Sequence, residues 1–358
     1  MAKIDGLFKL MKQQGASDLH ISSGAPPILR QHGEIEKLNY PPLTNEQAKA
    51  LLFEILNEEQ RAQFEATHDL DFAYELPGIA RFRGNILESY RGIAGVFRII
   101  PSTILSADEL NLPAGIRKMC NLKKGLVLVT GPTGSGKSTT LAAMIDLINS
   151  TRREHILTLE DPLEFIHENK MSLLNQRQIG QHTLSFAAAL KGALREDPDV
   201  ILVGEMRDLE TISLAMTAAE TGHLVYGTLH TNSAPKTIDR IIDAFPKDAQ
   251  EQVRTMLGES LKGVICQQLM KTADGKGRIA AHEILIGNAA VANLIREGKT
   301  FQIPSIMQTA KGEGMQLMDQ RILELLKEKK ITPEEAYRCA VEKRSFEQFL
   351  PKQDGNKP

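Results

Sequence analysis

The segment from Gly131 to Ser138 reads GPTGSGKS and fits the pattern GxxxxGK[ST] in full. It lies between an apolar run, LVLV, and a stretch with helical spacing. Glycines let backbone N–H groups converge on phosphate oxygens, and the start of a helix adds partial positive charge. We expect Lys137 to reach the β- and γ-phosphates of a nucleotide and Ser138 to bind Mg²⁺. The expected nucleotide contacts are Gly131, Pro132, Thr133, Gly134, Ser135, Gly136, Lys137, Ser138 and Thr139.

Carboxylates that could hold a metal ion or a water molecule follow two apolar segments downstream. Glu160 and Glu164 lie in ILTLEDPLEF, and Glu205 ends the apolar run of DPDVILVGEMRD. Open α/β sheets bind ligands at the carboxyl ends of their strands, so all three carboxylates are candidates for the site. We expect Glu205 to hold Mg²⁺ through water. The alternative for each is a solvated loop carboxylate.

Two histidines flank the apolar run in TGHLVYGTLHTNSA. His223 precedes this strand and His230 ends it, seven residues later. An odd separation on a strand turns two side chains to opposite faces, which argues against a shared metal ion. His230, followed by a polar loop, is the better candidate for sensing a γ-phosphate. A helix-end cap or a core position is the alternative for His223.

Arginines recur on the expected strands of the amino-terminal region, at Arg81, Arg83, Arg91 and Arg98. The simplest explanation is a solvated face of a sheet. Planar guanidinium groups also suit phosphate recognition, so these arginines could act as arginine fingers on a nucleotide.

The first 100 residues favour a small α+β domain. An amphipathic helix runs from Ile4 towards Gly15, and DLHIS follows as a strand. One or two helices are expected over 44–67, with Thr44 or Asn45 as the cap. Alternating residues broken by Pro-Gly and Arg-Gly then predict three antiparallel strands up to about residue 100.

The pattern changes after residue 100. A linker with a short helix is expected over 101–121. Apolar strands at 126–130, 156–160, 200–204 and 224–229 alternate with helical stretches, which predicts a mainly parallel sheet within a core over 122–288. Residues 289–358 are expected to form a helical extension, with Thr332 capping one helix and a disordered tail at the end.

Composition restricts the function classes. The formal net charge is −2, with 43 basic and 45 acidic residues, so no excess of positive charge favours nucleic acid or an anionic membrane. The three cysteines are scattered and form no CxxC pair, as in a protein of the reducing cytosol. No apolar run approaches the roughly 20 residues of a membrane span, so we expect a soluble, cytoplasmic protein.

Four segments in order resemble the motifs of the secretion ATPases that drive type II secretion and type IV pili. GPTGSGKSTT is similar to their Walker A motif, TLEDPLEF to the Asp box, LREDPDVILVGEMRD to the atypical Walker B motif and TGHLVYGTLHTNSA to the His box. The resemblance covers nearly the whole chain. ASDLHISSG, LIREGK and the short length resemble the retraction members of the family. LIREGK departs from the family's AIRAG form but keeps Ile295, Arg296 and Gly298, and its alternative is an exposed helix end with a glycine cap.

The resemblance implies an α/β fold: a PAS-like α+β amino-terminal domain, a RecA-like P-loop ATPase domain and a helical carboxyl-terminal extension. It further implies a cytoplasmic homo-hexamer that hydrolyses ATP with Mg²⁺ and works on pili through an inner-membrane platform protein. A second retraction ATPase is a further candidate partner.

Residue roles follow from the same resemblance. Glu164 is the expected general base, and Glu205 supports metal and water with assistance from Glu160. His230 senses the γ-phosphate and His223 helps to fix the loop, while Arg81 and Arg98 are the arginines expected to face a phosphate.

Three alternative functions remain open at this point. The first is an ATPase of pilus extension or type II secretion, because no residue encodes the direction of pilus movement. A nucleic-acid translocase or conjugation motor is the second, although the near-neutral charge argues against it. A small-molecule kinase is the third.

Overall fold

The structure is a computed structural model that describes residues 2–31, 34–100 and 103–351. It divides into two compact units. The first comprises Met1–Thr103 with Glu164–Ile166, and the second comprises Ile104–Leu163 with His167–Pro358. The domain boundaries expected from the sequence remain a prediction, and the expected disordered tail lies largely outside the described residues.

The first unit contains an antiparallel sheet of six strands in the order β3-β2-β1-β6-β5-β4. The strands are β1 (Asp18–Ser22), β2 (Ile28–Gln31), β3 (Glu34–Lys37), β4 (Asp69–Leu76), β5 (Ala80–Ser89) and β6 (Gly92–Ile100), and the helices are α1 (Ile4–Gln13), α2 (Asn45–Phe53) and α3 (Glu58–Thr67).

Aromatic packing forms much of the core of this unit. Phe8 of α1 stacks on Phe82 of β5 with 4.2 Å between ring centroids, and meets Phe97 of β6 edge-on at 5.0 Å. All three side chains are fully buried. Such ring pairs add about 0.5–1.5 kcal/mol each beyond the burial of their area, so α1 is firmly held on this face of the sheet.

Helix capping confirms one of the expected boundaries. Thr44 accepts a hydrogen bond from the backbone N–H of Gln47, and the Gln47 side chain accepts one from the Thr44 backbone. Asn57 and Gln60 repeat the arrangement at the start of α3. The expected helical region over 44–67 is therefore two separately capped helices.

The second unit contains a sheet of seven strands in the order β13-β12-β7-β11-β10-β8-β9. The strands are β7 (Gly125–Thr130), β8 (His155–Glu160), β9 (Leu173–Gln178), β10 (Val200–Val203), β11 (Leu224–Leu229), β12 (Leu261–Lys271) and β13 (Arg278–Ile286). The helices are α4 (Ala114–Met119), α5 (Lys137–Thr151), α6 (Phe186–Ala193), α7 (Leu209–Glu220), α8 (Ala234–Asp243), α9 (Gln250–Ser260), α10 (Ala289–Arg296), α11 (Ile303–Thr309), α12 (Met318–Lys327), α13 (Pro333–Cys339) and α14 (Arg344–Glu347).

Strands β7, β8, β10 and β11 are parallel and buried, as expected from their apolar runs. Three strands of this sheet were not expected. β9 extends it at one edge in parallel with β8, and β12 pairs in parallel with β7 at the other side. β13 closes that side as the antiparallel partner of β12.

The region after β13 is mostly helical, and Thr332 caps α13 as expected, accepting a hydrogen bond from Glu335 N–H. Among the described residues, no helix combines the length and the apolar character that a membrane crossing requires.

All three cysteines are buried and none forms a disulfide. Burial raises the pKa of the Cys120 thiol to about 12, and burial likewise raises the pKa values of Cys266 and Cys339. Each is therefore held as a neutral thiol near pH 7.

Candidate functional site

The segment over 131–138 forms a glycine-rich loop between β7 and α5. Gly131, Gly134 and Gly136 adopt φ values of 142°, 78° and 87°, a region that residues with a side chain rarely occupy. Gly136 stands at the amino-terminal end of α5. The loop therefore needs these glycines to turn directly from a strand into a helix, the geometry in which backbone N–H groups bind phosphate.

Two polar side chains of this loop suit an anion. The Lys137 ammonium donates to the carbonyl oxygens of Gly131 and Pro132, at 2.8 and 3.2 Å, and so lies over the loop. The Ser135 hydroxyl oxygen is buried and has no hydrogen-bond partner in the described part of the chain. Pro132, which carries one of the lysine's acceptors, is exposed, as is Gly134 two positions later. These features fit a nucleotide phosphate, with Ser138 available for Mg²⁺ at the first turn of α5.

The parallel strands bring the other candidates to the same edge of the sheet. β7 ends at the phosphate loop, β10 ends before Glu205 and β11 ends before His230. Since neighbouring strands lie about 4.8 Å apart, Glu205 is about 10 Å from the end of β7 across one intervening strand. This edge is where an open α/β sheet binds its ligands.

A close approach of two strands sets the position of Glu205. The N–H of Gly204 donates to the Leu159 carbonyl at 2.7 Å, at the end of β8. A Cβ at Gly204 would lie 3.0 Å from that carbonyl oxygen and 3.2 Å from the Cα of Glu160. Glycine before Glu205 therefore lets the ends of β8 and β10 meet, with Gly204 beside Glu160, one position beyond the paired residues Val203 and Leu159.

Glu205 forms a polar cluster with two neighbours. Its Oε2 accepts a hydrogen bond from Arg207 at 2.6 Å, and its Oε1 lies 3.1 Å from Nε2 of His230. Because a carboxylate only accepts, Nε2 of His230 is the donor in this contact. The Arg207 hydrogen bond and charge, with a smaller contribution from His230, lower the pKa of Glu205. Glu205 is thus held ionised, which suits it to support a cation or orient a water molecule better than to take up a proton.

The other two carboxylates differ in their surroundings. Glu160, the last residue of β8, accepts a hydrogen bond from the Thr158 hydroxyl at 2.7 Å and stays at the carboxyl edge. Glu164 is exposed, and its segment Glu164–Ile166 groups with the first unit. Glu160 and Glu205 thus both lie at the carboxyl edge, at the ends of the neighbouring strands β8 and β10, while the expected role of Glu164 as general base stays a prediction.

His223 lies at the opposite edge of the sheet, before β11 begins. Its backbone N–H and its Nδ1 both contact the Ala218 carbonyl, at 3.1 and 3.0 Å, at the end of α7. These contacts are those of a helix-end cap. About 20 Å of strand separate the two ends of β11, so the structure does not bring His223 together with His230 and the phosphate loop.

The two expected arginines share one face of the sheet in the first unit. The Arg98 Nε donates to buried Asp18 at 2.7 Å, although the Arg98 side chain is 71% exposed. Burial acts to raise the pKa of Asp18, but hydrogen bonds from Ser17 and Arg98 outweigh it, and the net shift is downwards. Arg81 lies 3.9 Å from Glu75, and its Nη1 is buried with no hydrogen-bond partner among the described residues. Their roles towards a phosphate remain predictions.

The segment LIREGK ends α10, and its three expected residues are not equivalent. Ile295 is 1% exposed and belongs to the core. Gly298 has φ of 68°, and its N–H donates to the Ile295 carbonyl, as in a glycine cap. Arg296 is exposed, donates to the Asn293 side chain at 2.5 Å and lines a cavity of about 350 Å³ with residues that start β12. Only Arg296 is thus available to a partner.

Two residues near the site were missed at the sequence level. Arg207, two positions after Glu205, was readable as the basic residue of GEMRD. Gln267 of β12 donates to the Ser135 carbonyl at 2.7 Å across 132 positions of sequence, and no local pattern indicates that contact.

The family model of the type II/IV secretion system protein matches residues 11–338. The chain belongs to this family. The family resemblance drawn from the four motifs is therefore confirmed.

Individual relatives in the family are highly similar. The type IV pilus retraction ATPase PilT of Pseudomonas aeruginosa is 55% identical over 316 residues, which cover 88% of this chain and 92% of that protein. A twitching motility protein of Neisseria gonorrhoeae is 56% identical over 320 residues, covering 89% and 86% of the two chains.

A solved structure is similar over almost the full length. The crystal structure of the pilus retraction motor PilT with bound ADP has 46% sequence identity and a TM-score of 0.90, and the match covers 97% of this chain and 99% of that one. The α/β fold class expected for this family member, an amino-terminal domain followed by a RecA-like ATPase domain, is thereby confirmed.

Proposed function

We propose that this chain is the ATPase that powers retraction of type IV pili, the movement behind twitching motility. One observation carries the proposal: a complete phosphate loop and the Glu205 cluster lie on one sheet edge of a chain that is more than half identical to a pilus retraction ATPase over most of both lengths. An extension ATPase would use the same chemistry, so the retraction assignment depends on the relatives.

At the site, the phosphate loop holds the triphosphate, and Lys137 balances charge on the β- and γ-phosphates. Mg²⁺ bound by Ser138 would neutralise phosphate charge in the transition state. Glu205, kept ionised by Arg207, would orient the attacking water molecule or the hydration shell of the ion, with Glu160 at the end of the neighbouring strand. His230 donates its Nε2 proton to Glu205. We expect His230 to sense the γ-phosphate through this hydrogen bond, because Glu205 orients the groups around that phosphate. Such positioning of charges is the main source of catalysis in phosphoryl transfer.

The working form we propose is a homo-hexamer at the cytoplasmic face of the inner membrane, where it engages a platform protein of the pilus machine. A second retraction ATPase is a further candidate partner. Arginines of the first unit, Arg81 and Arg98, are the proposed contacts to a phosphate. Light scattering with and without ATP tests the assembly, and a persistent monomer would contradict it.

The direction of pilus movement can be tested in cells. The chromosomal copy is replaced by the Lys137→Ala variant, and surface pili are counted by electron microscopy beside a twitching assay. A retraction ATPase gives cells that keep or accumulate pili yet do not twitch. Cells without pili would instead identify an extension ATPase and overturn the proposal.

A further inference from the structure

Gln267 lies directly beneath the phosphate loop. In the sheet, β12 pairs with β7 up to Cys266 opposite Thr130, so the next residue of each strand brings Gln267 alongside Gly131. The Gln267 side chain is 2% exposed. A polar amide so deeply buried is costly unless both of its ends are hydrogen-bonded.

Both ends of this amide are satisfied by the phosphate loop and the helix that follows it. Nε2 donates to the Ser135 carbonyl at 2.7 Å, and Oε1 accepts from the Thr140 hydroxyl at 2.7 Å. A carbonyl acceptor and a hydroxyl donor fix which end of the amide is which. One side chain of β12 therefore joins the tip of the loop to the first turn of α5.

The hydrogen bond to the Ser135 carbonyl also fixes the orientation of the peptide group that joins Ser135 to Gly136. In a trans peptide the C=O and the following N–H point in opposite directions. Holding the Ser135 carbonyl towards β12 therefore turns the Gly136 N–H away from β12. That N–H is one of the donors expected to meet a phosphate oxygen.

The glycines of the loop fit against the same residue. A Cβ on Gly131 would lie 2.3 Å from the Gln267 carbonyl oxygen, and a Cβ on Gly136 would lie 2.8 Å from its Nε2. Both distances are shorter than a real Cβ contact. The backbone of the loop therefore packs directly against Gln267 and leaves no room for a side chain at either glycine.

We propose that Gln267 is the positioning residue of the phosphate loop, holding the Ser135–Gly136 peptide and the first turn of α5 in the orientation that binds a nucleotide phosphate. The proposal rests on the nucleotide site of the proposed function. It assigns Gln267 no contact with substrate, and its action passes through Ser135 and Thr140.

The test measures ADP affinity by isothermal titration calorimetry on the full chain. Gln267→Glu keeps the acceptor for Thr140 but loses the donor to Ser135, and Gln267→Met loses both without introducing a charge. We expect both variants to bind ADP at least about tenfold more weakly, because the freed peptide no longer presents its N–H. The KM for ATP should rise by a similar factor, while kcat at saturating ATP falls less than about threefold.

The adjacent glutamine supplies a matched control. Gln268 is half-buried and points to the other face of β12, so Gln268→Glu makes the same chemical change away from the loop. It should bind ADP within about twofold of the unaltered chain. Thr140→Val should weaken binding less than Gln267→Met and add little to it in the double variant, because the two residues share one hydrogen bond.

Each outcome is decisive. A folded Gln267→Met variant with ADP affinity within twofold of the unaltered chain overturns the proposal. So does a failure of both Gln267 variants to fold, judged by circular dichroism, because Gln267 would then serve folding rather than positioning. If the unaltered chain itself binds no ADP, the proposed ATPase function fails instead. This outcome distinguishes failure of the proposed function from failure of the proposed role of Gln267.

Discussion

The two edges of the seven-stranded sheet differ in how their polar residues are held. At the carboxyl edge, Glu205 has two partners and the phosphate loop is tied to Gln267. At the amino edge, His223 caps a helix, and exposed Arg296 donates a hydrogen bond to its own helix neighbour Asn293. Fixed side chains suit chemistry, which needs preorganised charge, whereas an exposed arginine beside a cavity suits contact with another molecule. Substitutions at the two edges should therefore separate hydrolysis from movement.

The largest effect is expected at Lys137. Lys137→Ala removes the cation expected on the β- and γ-phosphates, so ATP hydrolysis should fall by about a thousandfold or more, equivalent to about 4 kcal/mol of transition-state stabilisation. Phosphate release measures it. Lys124, an exposed lysine at the amino edge just before β7, is the control. If Lys124→Ala and Lys137→Ala lowered the rate of ATP hydrolysis equally, hydrolysis would not depend specifically on the carboxyl edge of the sheet.

The second-largest effect on ATP hydrolysis is expected from Glu205→Gln. The amide keeps the shape of the carboxylate but not its charge, so kcat should fall by about a hundredfold while ADP affinity stays within about threefold. Steady-state kinetics with calorimetry separates the two quantities. The control is Glu220→Gln, at the amino-edge end of α7. An unchanged kcat in the Glu205 variant would remove this residue from the chemistry.

Acid should destabilise the sheet through His282. This side chain lies opposite Gln267 in β13, and burial, with the nearby charge of Arg321, lowers its pKa to about 4. An unfolded histidine titrates near 6.5, so the unfolded chain gains the proton first as pH falls. Stability is complete above about pH 6.5, declines towards pH 4, and should have lost about 2 kcal/mol from this residue at pH 5.

Urea unfolding at pH 7.5 and pH 5 measures this loss. His282→Gln should remove about 2 kcal/mol of the difference between the two pH values. The control, His68→Asn, changes an exposed histidine in the left-handed conformation and should leave the pH dependence as it was. An identical pH dependence in all three chains would contradict the assignment.

The smallest effect on hydrolysis is expected at Arg296. Arg296→Ala should leave kcat within about twofold, because this side chain is bonded to Asn293 of its own helix, at the edge of the sheet opposite the phosphate loop. Twitching should nevertheless be lost. Lys299→Ala provides a control, since this lysine pairs with Glu297 on the same exposed turn. Normal twitching of cells with Arg296→Ala would remove the residue from the mechanism of movement.

The sequence predicted those features that depend on neighbouring residues. The phosphate loop, the four apolar strands around it and the Thr44 cap follow from local pattern and turn chemistry. β3 was missed because its sequence, EIEK, contains a single apolar residue, too few to show an alternating pattern. Gln267 was missed because its partner Ser135 is distant in sequence. His223 was placed correctly before a strand, but only the parallel pairing shows that this end lies away from the nucleotide site.

The burial of all three cysteines has a practical consequence for following the proposed motor at work. As neutral thiols inside the fold, they should react slowly with maleimides. A single cysteine introduced at an exposed position, such as Lys299, would then carry a fluorophore without background labelling. Its signal through one turnover would report when the surface beside Arg296 changes relative to phosphate release.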